Sequence, residues 1–371
     1  MLNVVKQVLF WSHLVSGLIA GVVIFVLALS GALLTYERQI LEWDEVRHTV
    51  VTPQPAQKAS KTALLQKLSS LAPDEHHIFM RFVNREGAAV PVWAGSNAFL
   101  LDPHTGEVLR DGPGALAIAF YVVKNIHRWL AFSGDYQDIG KSVTAYANLV
   151  FIFLLFSGLY LWFPRKFTRR GLKQQLLLGS KYANKHSKYR RWHFVFGFWS
   201  LIPLIVIATS ATIFHFKWAN EFVYAFYGES VPQRETHEEL THFDTRSIDI
   251  DALFDVATQH AKDNGAEDWY SMWLELGEVD NEARFFIDKT IGHQHDQAYS
   301  LFVDTRTHEV LRAKFQGDWS KGDQAWDVVR FLHTGEYFGV VGQTIAGVVS
   351  LFCCLLIYTG WLLAWKRLKR A

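Results

Sequence analysis

Apolar residues gather into four long runs along the chain, separated by two mixed segments and one basic loop. A helix needs about 20 consecutive apolar residues, at ~1.5 Å rise each, to cross a hydrocarbon core of ~30 Å. The runs predict spanning helices at 1–36 (apolar from Val8 to Tyr36), 142–163, 194–216 and within 342–371, where the run is Gly342 to Trp365. The first is far longer than the ~7–15-residue core of a signal peptide, and no persuasive small-x-small cleavage site ends it. It is expected to be a retained anchor.

The segments 37–141 and 217–341 carry a different pattern. Ile78-Phe79-Met80-Arg81-Phe82-Val83 alternates like a strand. Ala98-Phe99-Leu100-Leu101, the turn Asp102-Pro103-His104-Thr105-Gly106 and Glu107-Val108-Leu109 read as a hairpin. Ser300 to Asp304 and Glu309-Val310-Leu311 repeat it. Residues 60–72 and 249–264 read as amphipathic helices before those strands. Each segment is therefore expected to be a small α+β module.

Charge sets the expected orientation. The loop 164–193 holds Arg165, Lys166, Arg169, Arg170, Lys173, Lys181, Lys185, Lys188, Arg190 and Arg191, with no Asp or Glu. The tail adds Lys366, Arg367, Lys369 and Arg370. Basic loops stay in the cytoplasm, which places both termini there and both mixed segments outside. The second segment is acidic, with Glu235, Glu238, Glu239, Asp244, Asp249, Asp251 and Asp255. Such a run is a solvated face or an attraction for a cationic partner.

Self-comparison shows that the chain repeats. A shift of 180 sets His13 on His193, Gly17 on Gly197, Ser30 on Ser210 and Tyr36 on Phe216. A shift of 202 sets Leu101-Asp102 on Val303-Asp304, Gly140 on Gly342 and Ser157-Gly158 on Thr359-Gly360. A four-residue gap then aligns the segment ending in His127 with that ending in His333. Two copies of one unit with the same topology imply a pseudo-two-fold axis along the membrane normal. The expected fold is a membrane α-helical protein, a four-helix bundle of two parallel repeats with two external α+β domains.

A histidine in or beside a span is costly without a partner. His13 and His193 fall at the cytoplasmic ends of spans one and three; His127 and His333 fall on the outer side, each before a descending span. Symmetric pairs suit a flat cofactor that takes one ligand on each face. Haem b with two axial imidazoles is such a cofactor, so two pairs predict two haems and single-electron transfer across the membrane. His215, 22 residues after His193, breaks the symmetry because its mate is Thr35. It is a reserve ligand for the outer haem, a group near substrate, or an interfacial cap. Gly17, Gly21, Gly31, Gly158, Gly347 and Gly360 either admit a macrocycle or let helices pack closely. His76 with His77, His237 with His242, and His293 with His295 are weak metal candidates.

Composition removes alternatives. The two cysteines, Cys353 and Cys354, are adjacent inside an apolar run, which excludes a disulfide framework and a zinc site. No Cys-x-x-Cys-His occurs, so haem is not attached covalently in the c-type manner. Three methionines argue against a methionine-rich copper path.

The stretch Leu332-His333-Thr334-Gly335…Gly339…Gly342…Tyr358-Thr359-Gly360-Trp361…Arg367 resembles the PepSY-associated transmembrane-helix family of bacterial membrane proteins. Ile126-His127-Arg128-Trp129-Leu130, Ser157-Gly158-Leu159-Tyr160-Leu161-Trp162 and His13 extend the resemblance over nearly the whole chain. The hairpin from Asp102 to Leu109 looks like the end of a PepSY module. The resemblance implies an inner-membrane protein linked to iron uptake, with periplasmic PepSY-like domains and two b-type haems on His13, His127, His193 and His333. Two departures stand out. His308 occupies the place of the turn glycine, which marks the second module as a candidate for degeneration, and His13 is followed by Leu14-Val15 instead of the family's Arg-Trp.

The reading that follows is a dihaem oxidoreductase. It would take electrons from quinol or a cytoplasmic reductase and reduce an iron(III)-siderophore held outside, releasing iron(II). Two alternatives stay open: a membrane-anchored module that binds or restrains a periplasmic protein, and a quinol-linked b-type cytochrome with no metal substrate.

Overall fold

The computed structural model describes residues 2–50, 59–164, 168–233, 248–291, 294 and 296–369. The chain begins with helices α1 (Leu2–Leu34), α2 (Glu37–Val46) and α3 (Lys61–Leu71). Strands β1 (Ile78–Val83), β2 (Val90–Ala94), β3 (Asn97–Leu101) and β4 (Val108–Asp111) follow. Next come α4 (Ala115–Trp129), α5 (Gln137–Trp162), α6 (Arg169–Leu176), α7 (Lys185–His215), α8 (Lys217–Ala225) and α9 (Ile250–Asp263). Strands β5 (Ser271–Leu276), β6 (Glu282–Asp288), β7 (Ala298–Asp304) and β8 (Val310–Lys314) precede α10 (Lys321–Thr334) and α11 (Gly339–Leu368). The elements divide into two compact units, one of Met1–Tyr36, Phe120–Ser230 and Ala325–Ala371, the other of Glu37–Ala119 and Val231–Gln324.

The first unit is helical. Four stretches, beginning at Val4, Gly134, Lys185 and Glu336, are long and apolar enough to cross a membrane. They outrun the apolar cores read from sequence because backbone hydrogen bonding carries a helix into its polar flanks. Thus α7 starts at Lys185, where Asn184 Oδ1 accepts from the Ser187 amide at 2.9 Å. Helix α1 packs on α5 and α11, and α7 packs on the same two, so the four close a ring. Ala20, Ile24, Leu154, Leu204, Ala208, Val349 and Cys353 fill its interior.

In lipid, apolar area does not drive helices together; close packing and polar ties do. Asn148 Nδ2 donates to Ala208 O at 2.9 Å and to Thr212 Oγ1 at 3.0 Å, joining α5 to α7. Gln343 Nε2 donates to Thr35 O at 2.9 Å, joining α11 to α1. A Cβ on Gly21 would lie 2.8 Å from Trp361, and one on Gly347 would lie 3.1 Å from Thr35. These two glycines serve helix contact.

Helices α4 and α10 each lead into a span through a tight reversal. After α4, Leu130 and Ala131 take φ of 53° and 63°; after α10, Gly335 takes 81°. The chain then doubles back so closely that a Cβ on Gly140 would meet Trp129 O at 2.1 Å, and one on Gly342 would meet Gly335 O at 2.1 Å. The glycine pair aligned by the repeat therefore marks the same reversal twice.

The second unit holds one eight-stranded antiparallel sheet, in the order β4-β3-β2-β1-β5-β6-β7-β8. Each mixed segment supplies a four-stranded meander, and the two join where β1 pairs with β5, from Ile78 opposite Leu276 to Val83 opposite Ser271. The two separate modules expected from sequence are thus one compact unit. The reason is edge pairing: two short sheets with open edges satisfy those amides by joining. Ile78, Met80 and Phe82 of β1, with Met272, Leu274 and Leu276 of β5, face a core closed by Leu64, Leu65 and Leu68 of α3 and by Ile250, Leu253 and Ala257 of α9. Each fully buried side chain of this size contributes roughly 1.5–3 kcal/mol.

Two of the acidic residues serve as caps. Asp249 Oδ1 accepts from the Ala252 amide at 3.1 Å and starts α9. Asp251 accepts from the amides of Lys61 at 2.9 Å and Thr62 at 3.1 Å at the start of α3. Burial opposes the charge on Asp251, but these amides outweigh it and hold the carboxyl below its ordinary range. Glu235, Glu238, Glu239 and Asp244 lie outside the described residues.

The second hairpin is well formed despite His308. Asp304 Oδ1 accepts from the amides of Arg306 and Thr307, both at 2.8 Å, as Asp102 Oδ1 accepts from His104 at 2.7 Å and Thr105 at 3.1 Å. His308 takes φ 59° where Gly106 takes 72°. The aspartate turn outweighs the cost of a side chain in the left-handed region.

On the other face of β1, buried Arg81 donates to Glu42 of α2 at 2.8 Å and also to Glu45. Arg85 reaches Glu42 at 3.1 Å. Trp93 and Trp273, on the strands either side of β1, stack with centroids 5.4 Å apart.

Candidate functional site

The four histidines predicted as ligands all lie in the helical unit, and each is held in the same way. His13 Nδ1 on α1 is 2.8 Å from Ser157 Oγ on α5. His127 Nδ1 on α4 is 2.9 Å from Ser30 Oγ on α1. His193 Nδ1 on α7 is 3.0 Å from Thr359 Oγ1 on α11. His333 Nδ1 on α10 is 2.9 Å from Ser210 Oγ on α7. The two repeat relations that map His13 on His193 and Ser157 on Thr359 also map one bond on the other, and the outer bonds correspond likewise.

These hydroxyls determine where the imidazole proton sits. A hydroxyl has one proton to donate. Ser30 gives it to Val26 O at 2.7 Å, Ser157 to Phe153 O at 2.7 Å, Ser210 to Val206 O at 2.8 Å and Thr359 to Leu355 O at 2.8 Å. Each oxygen is left to accept, so each Nδ1 carries the proton and donates it. His333 Nδ1 also lies 3.1 Å from Ile207 O, which can only accept. The remaining nitrogen, Nε2, keeps its lone pair in all four rings. This is the tautomer a metal-ligating histidine adopts when a partner orients its other nitrogen.

A small residue follows each hydroxyl: Gly31, Gly158, Ala211 and Gly360. A Cβ at Gly31 would lie 3.2 Å from His127 Cε1, at Gly158 3.2 Å from His13 Cε1, and at Gly360 3.5 Å from His193 Cε1. These three glycines give the rings room against a neighbouring helix. Gly17 has only Leu154 nearby, at 3.8 Å.

The rings come together by pairs. His127 and His333 face each other with centroids 6.4 Å apart. Two imidazoles bound end-on to one metal, at bonds of about 2 Å, hold their centres roughly 6 Å apart. His13 and His193 lie within electrostatic reach of each other. Ser30 is 17 residues beyond His13 on α1, so the pairs are separated by about 25 Å of helix. Phe214 packs on His333 with centroids 5.2 Å apart, and His215, next in the chain, lies near both His127 and His333. Among the described residues it has no hydroxyl partner of the kind the four share.

The proton tautomer of the four rings, the separation of the outer pair and the glycine clearance at three rings suit a haem iron, which asks the protein for two axial nitrogens. Among the described residues no group of three His, Cys, Asp or Glu is placed to hold a bare metal ion. The other histidine candidates separate from this chemistry. His77 Nε2 bonds Glu275 Oε1 at 2.9 Å across the β1–β5 seam, and its ring packs on Phe79. His237, His242, His293 and His295 lie outside the described residues.

Ser30, Ser157, Ser210 and Thr359 were legible as aligned positions of the repeat but carried no assigned chemistry until the fold set each beside a ring. No curated relative matches the chain. The family model described as the PepSY-associated TM region matches residues 10–367, and with that match over nearly its whole length the chain belongs to this family.

Proposed function

We propose that the protein is a dihaem b electron carrier of a bacterial inner membrane that reduces iron(III)-siderophore chelates on the periplasmic side. The observation that carries this reading is the fourfold recurrence of a histidine whose Nδ1–H is bound to a hydroxyl and whose Nε2 is left free. One such arrangement is an interhelical hydrogen bond; four in two repeat-related pairs suit two bis-imidazole sites. His13 with His193 would hold one haem and His127 with His333 the other, in a bundle of two parallel repeats. A haem so ligated supplies one-electron chemistry, with no open position for a substrate.

The residues of this chain then do three things. The hydroxyls orient the rings and hold the proton on Nδ1. The glycines clear space beside them. The spans carry the hydroxyls to the rings from separate helices. With the basic loop and tail in the cytoplasm, the His127 end and the sheet unit face the periplasm. The iron chelate is the substrate there: reduction to iron(II) weakens its hold on hard oxygen donors and releases the metal. The donor on the other side is a quinol or a cytoplasmic reductase.

The test is the optical spectrum of detergent-purified protein, oxidised and then dithionite-reduced, with haem counted per chain. The expected result is a low-spin b-type spectrum with about two haems, falling to about one in His13→Ala or His333→Ala. Haem-free protein from haem-replete cells would overturn the proposal and favour a periplasmic protein-binding role for the sheet unit.

A further inference from the structure

The two outer histidines are related by the repeat, but their surroundings are not. Thr144 Oγ1 on α5 lies 3.3 Å from Arg128 O at the end of α4. Asn148 of α5 bonds Thr212 of α7 at 3.0 Å, and two residues earlier Tyr146 packs on Phe216 with centroids 6.0 Å apart. The start of α5 therefore lies against the end of α7. Three groups lie around that junction: Arg128, next to His127; Lys141, one turn before Thr144; and His215, which lies within electrostatic reach of both.

Arg128 and Lys141 have no carboxylate partner among the described residues. Asp138, one turn before Lys141, forms no ion pair with it. The guanidinium of Arg128 rests on the Trp129 ring, 4.7 Å from its centroid. The repeat relations place Thr334, Gln343 and Thr35 at the corresponding positions of the other copy. Those are neutral and tied into the fold: Gln343 donates to Thr35 O at 2.9 Å, and Thr334 bonds Glu336 at 2.8 Å. One side of the pseudo-axis thus presents three nitrogen groups without an anion, and at the corresponding positions the other presents uncharged residues tied into the fold.

Unpaired cations on the outer side of a membrane protein run against the usual distribution of charge. Their grouping beside the His127/His333 pair calls for an anion that arrives with the cofactor. We propose that Arg128, Lys141 and His215 form a carboxylate-binding site that takes a propionate carboxylate of the outer haem. The inference rests on the dihaem reading. It adds that a nearly symmetric histidine pair holds its cofactor through charge on one side of the pseudo-axis only. A lipid phosphate would bring the same charge, so the test removes the charge from the haem alone.

The experiment uses the full chain, prepared haem-free and carrying His13→Ala and His193→Ala so that only the outer pair remains. It is titrated with haem b and, separately, with the dimethyl ester of haem b, reading the Soret band and the rate of loss to apomyoglobin. The expected result is tighter retention of the free acid by roughly tenfold or more, the scale of one or two charge-assisted hydrogen bonds. In Arg128→Gln/Lys141→Gln/His215→Gln the preference for the acid should vanish, with ester binding unchanged. Equal retention of acid and ester by the parent chain would overturn the site while leaving the haem reading intact, whatever the folding of the variant. A preference that survives the triple substitution would also overturn it, since another group would then hold the carboxylate. Failure to bind either form would remove the haem reading and this inference with it.

Discussion

Ser157 Oγ stands 2.8 Å from His13 Nδ1 and gives its own proton to Phe153 O at 2.7 Å, so one serine fixes both the direction and the tautomer of an imidazole on another helix. The same two-step relation ties Thr359 to His193, Ser30 to His127 and Ser210 to His333.

Replacing one of these hydroxyls leaves an imidazole N–H with its partner removed. Loss of a partner that orients a metal ligand weakens the metal by roughly 10–100-fold. On the dihaem proposal, Ser157→Ala is expected to lower retention of the His13-site haem and shift its midpoint potential, while Ser157→Thr restores both. A redox titration resolving the two haems reads this directly. Unchanged potentials in the alanine variant would show that the serine serves packing alone.

The glycines beside the rings make a graded series. Clearance at Gly31 and Gly158 is 3.2 Å, below ordinary contact, and at Gly360 it is 3.5 Å. Gly158→Ala should therefore disturb its site more than Gly360→Ala, and Gly158→Leu should displace the His13 ring and, on the dihaem proposal, bring haem from about two per chain to about one. Pyridine haemochrome content per chain distinguishes this from general misfolding, which removes both haems.

In the sheet unit, Arg81 is buried with Glu42 and Glu45. Removing one partner of a buried ion pair strands the other charge and costs about 3–5 kcal/mol. Arg81→Ala should therefore lower the unfolding transition of the purified chain, and Arg81→Met together with Glu42→Gln should recover much of the loss. Recovery absent from the double variant would place the cost in packing instead of charge.

Acid should act through Glu42. Burial opposes its ionisation, but hydrogen bonds from Tyr270 and Arg81 outweigh that and hold its carboxyl below the ordinary value of 4.5. The unfolded chain then takes up the proton first, so the contribution is fully present above that value and is lost as pH falls through the lower folded one. Burial holds Glu45 above the ordinary value, with the opposite sign. Thermal unfolding followed against pH should show a shallower acid limb in Glu42→Gln than in the parent. A steeper limb would reverse the assignment.

His308 at φ 59° offers a test in the other direction. A left-handed conformation costs an L-residue roughly 1–2 kcal/mol, part of which glycine returns as unfolded-chain entropy. His308→Gly is expected to stabilise the sheet unit by up to about 1 kcal/mol in denaturant unfolding, and Gly106→Ala to destabilise it.

The membrane architecture was legible in the chain because lipid leaves the backbone few choices. Runs such as Gly342 to Trp365 must be helical, and their number and spacing follow from composition. The repeat placed His13 with His193 and His127 with His333, and it aligned Ser157 with Thr359 before any reason for the alignment was visible. Strand β1 and the amphipathic helices α3 and α9 were equally plain, since a period of 2 or 3.6 is a local property.

What the sequence left open is what distance in the chain conceals. The pairing of β1 with β5 joins residues about 190 positions apart, and no local pattern states which edge a strand will meet. The partnership of each imidazole with a hydroxyl lies between helices far apart in the chain, from His333 and Ser210 to His13 and Ser157, and depends on which faces of the ring of helices meet. The tautomer follows only after that, because a proton's position is set by the atoms around it and not by the residue that carries it. Composition and periodicity determined the elements and their order; packing alone decided which side chains would share a site.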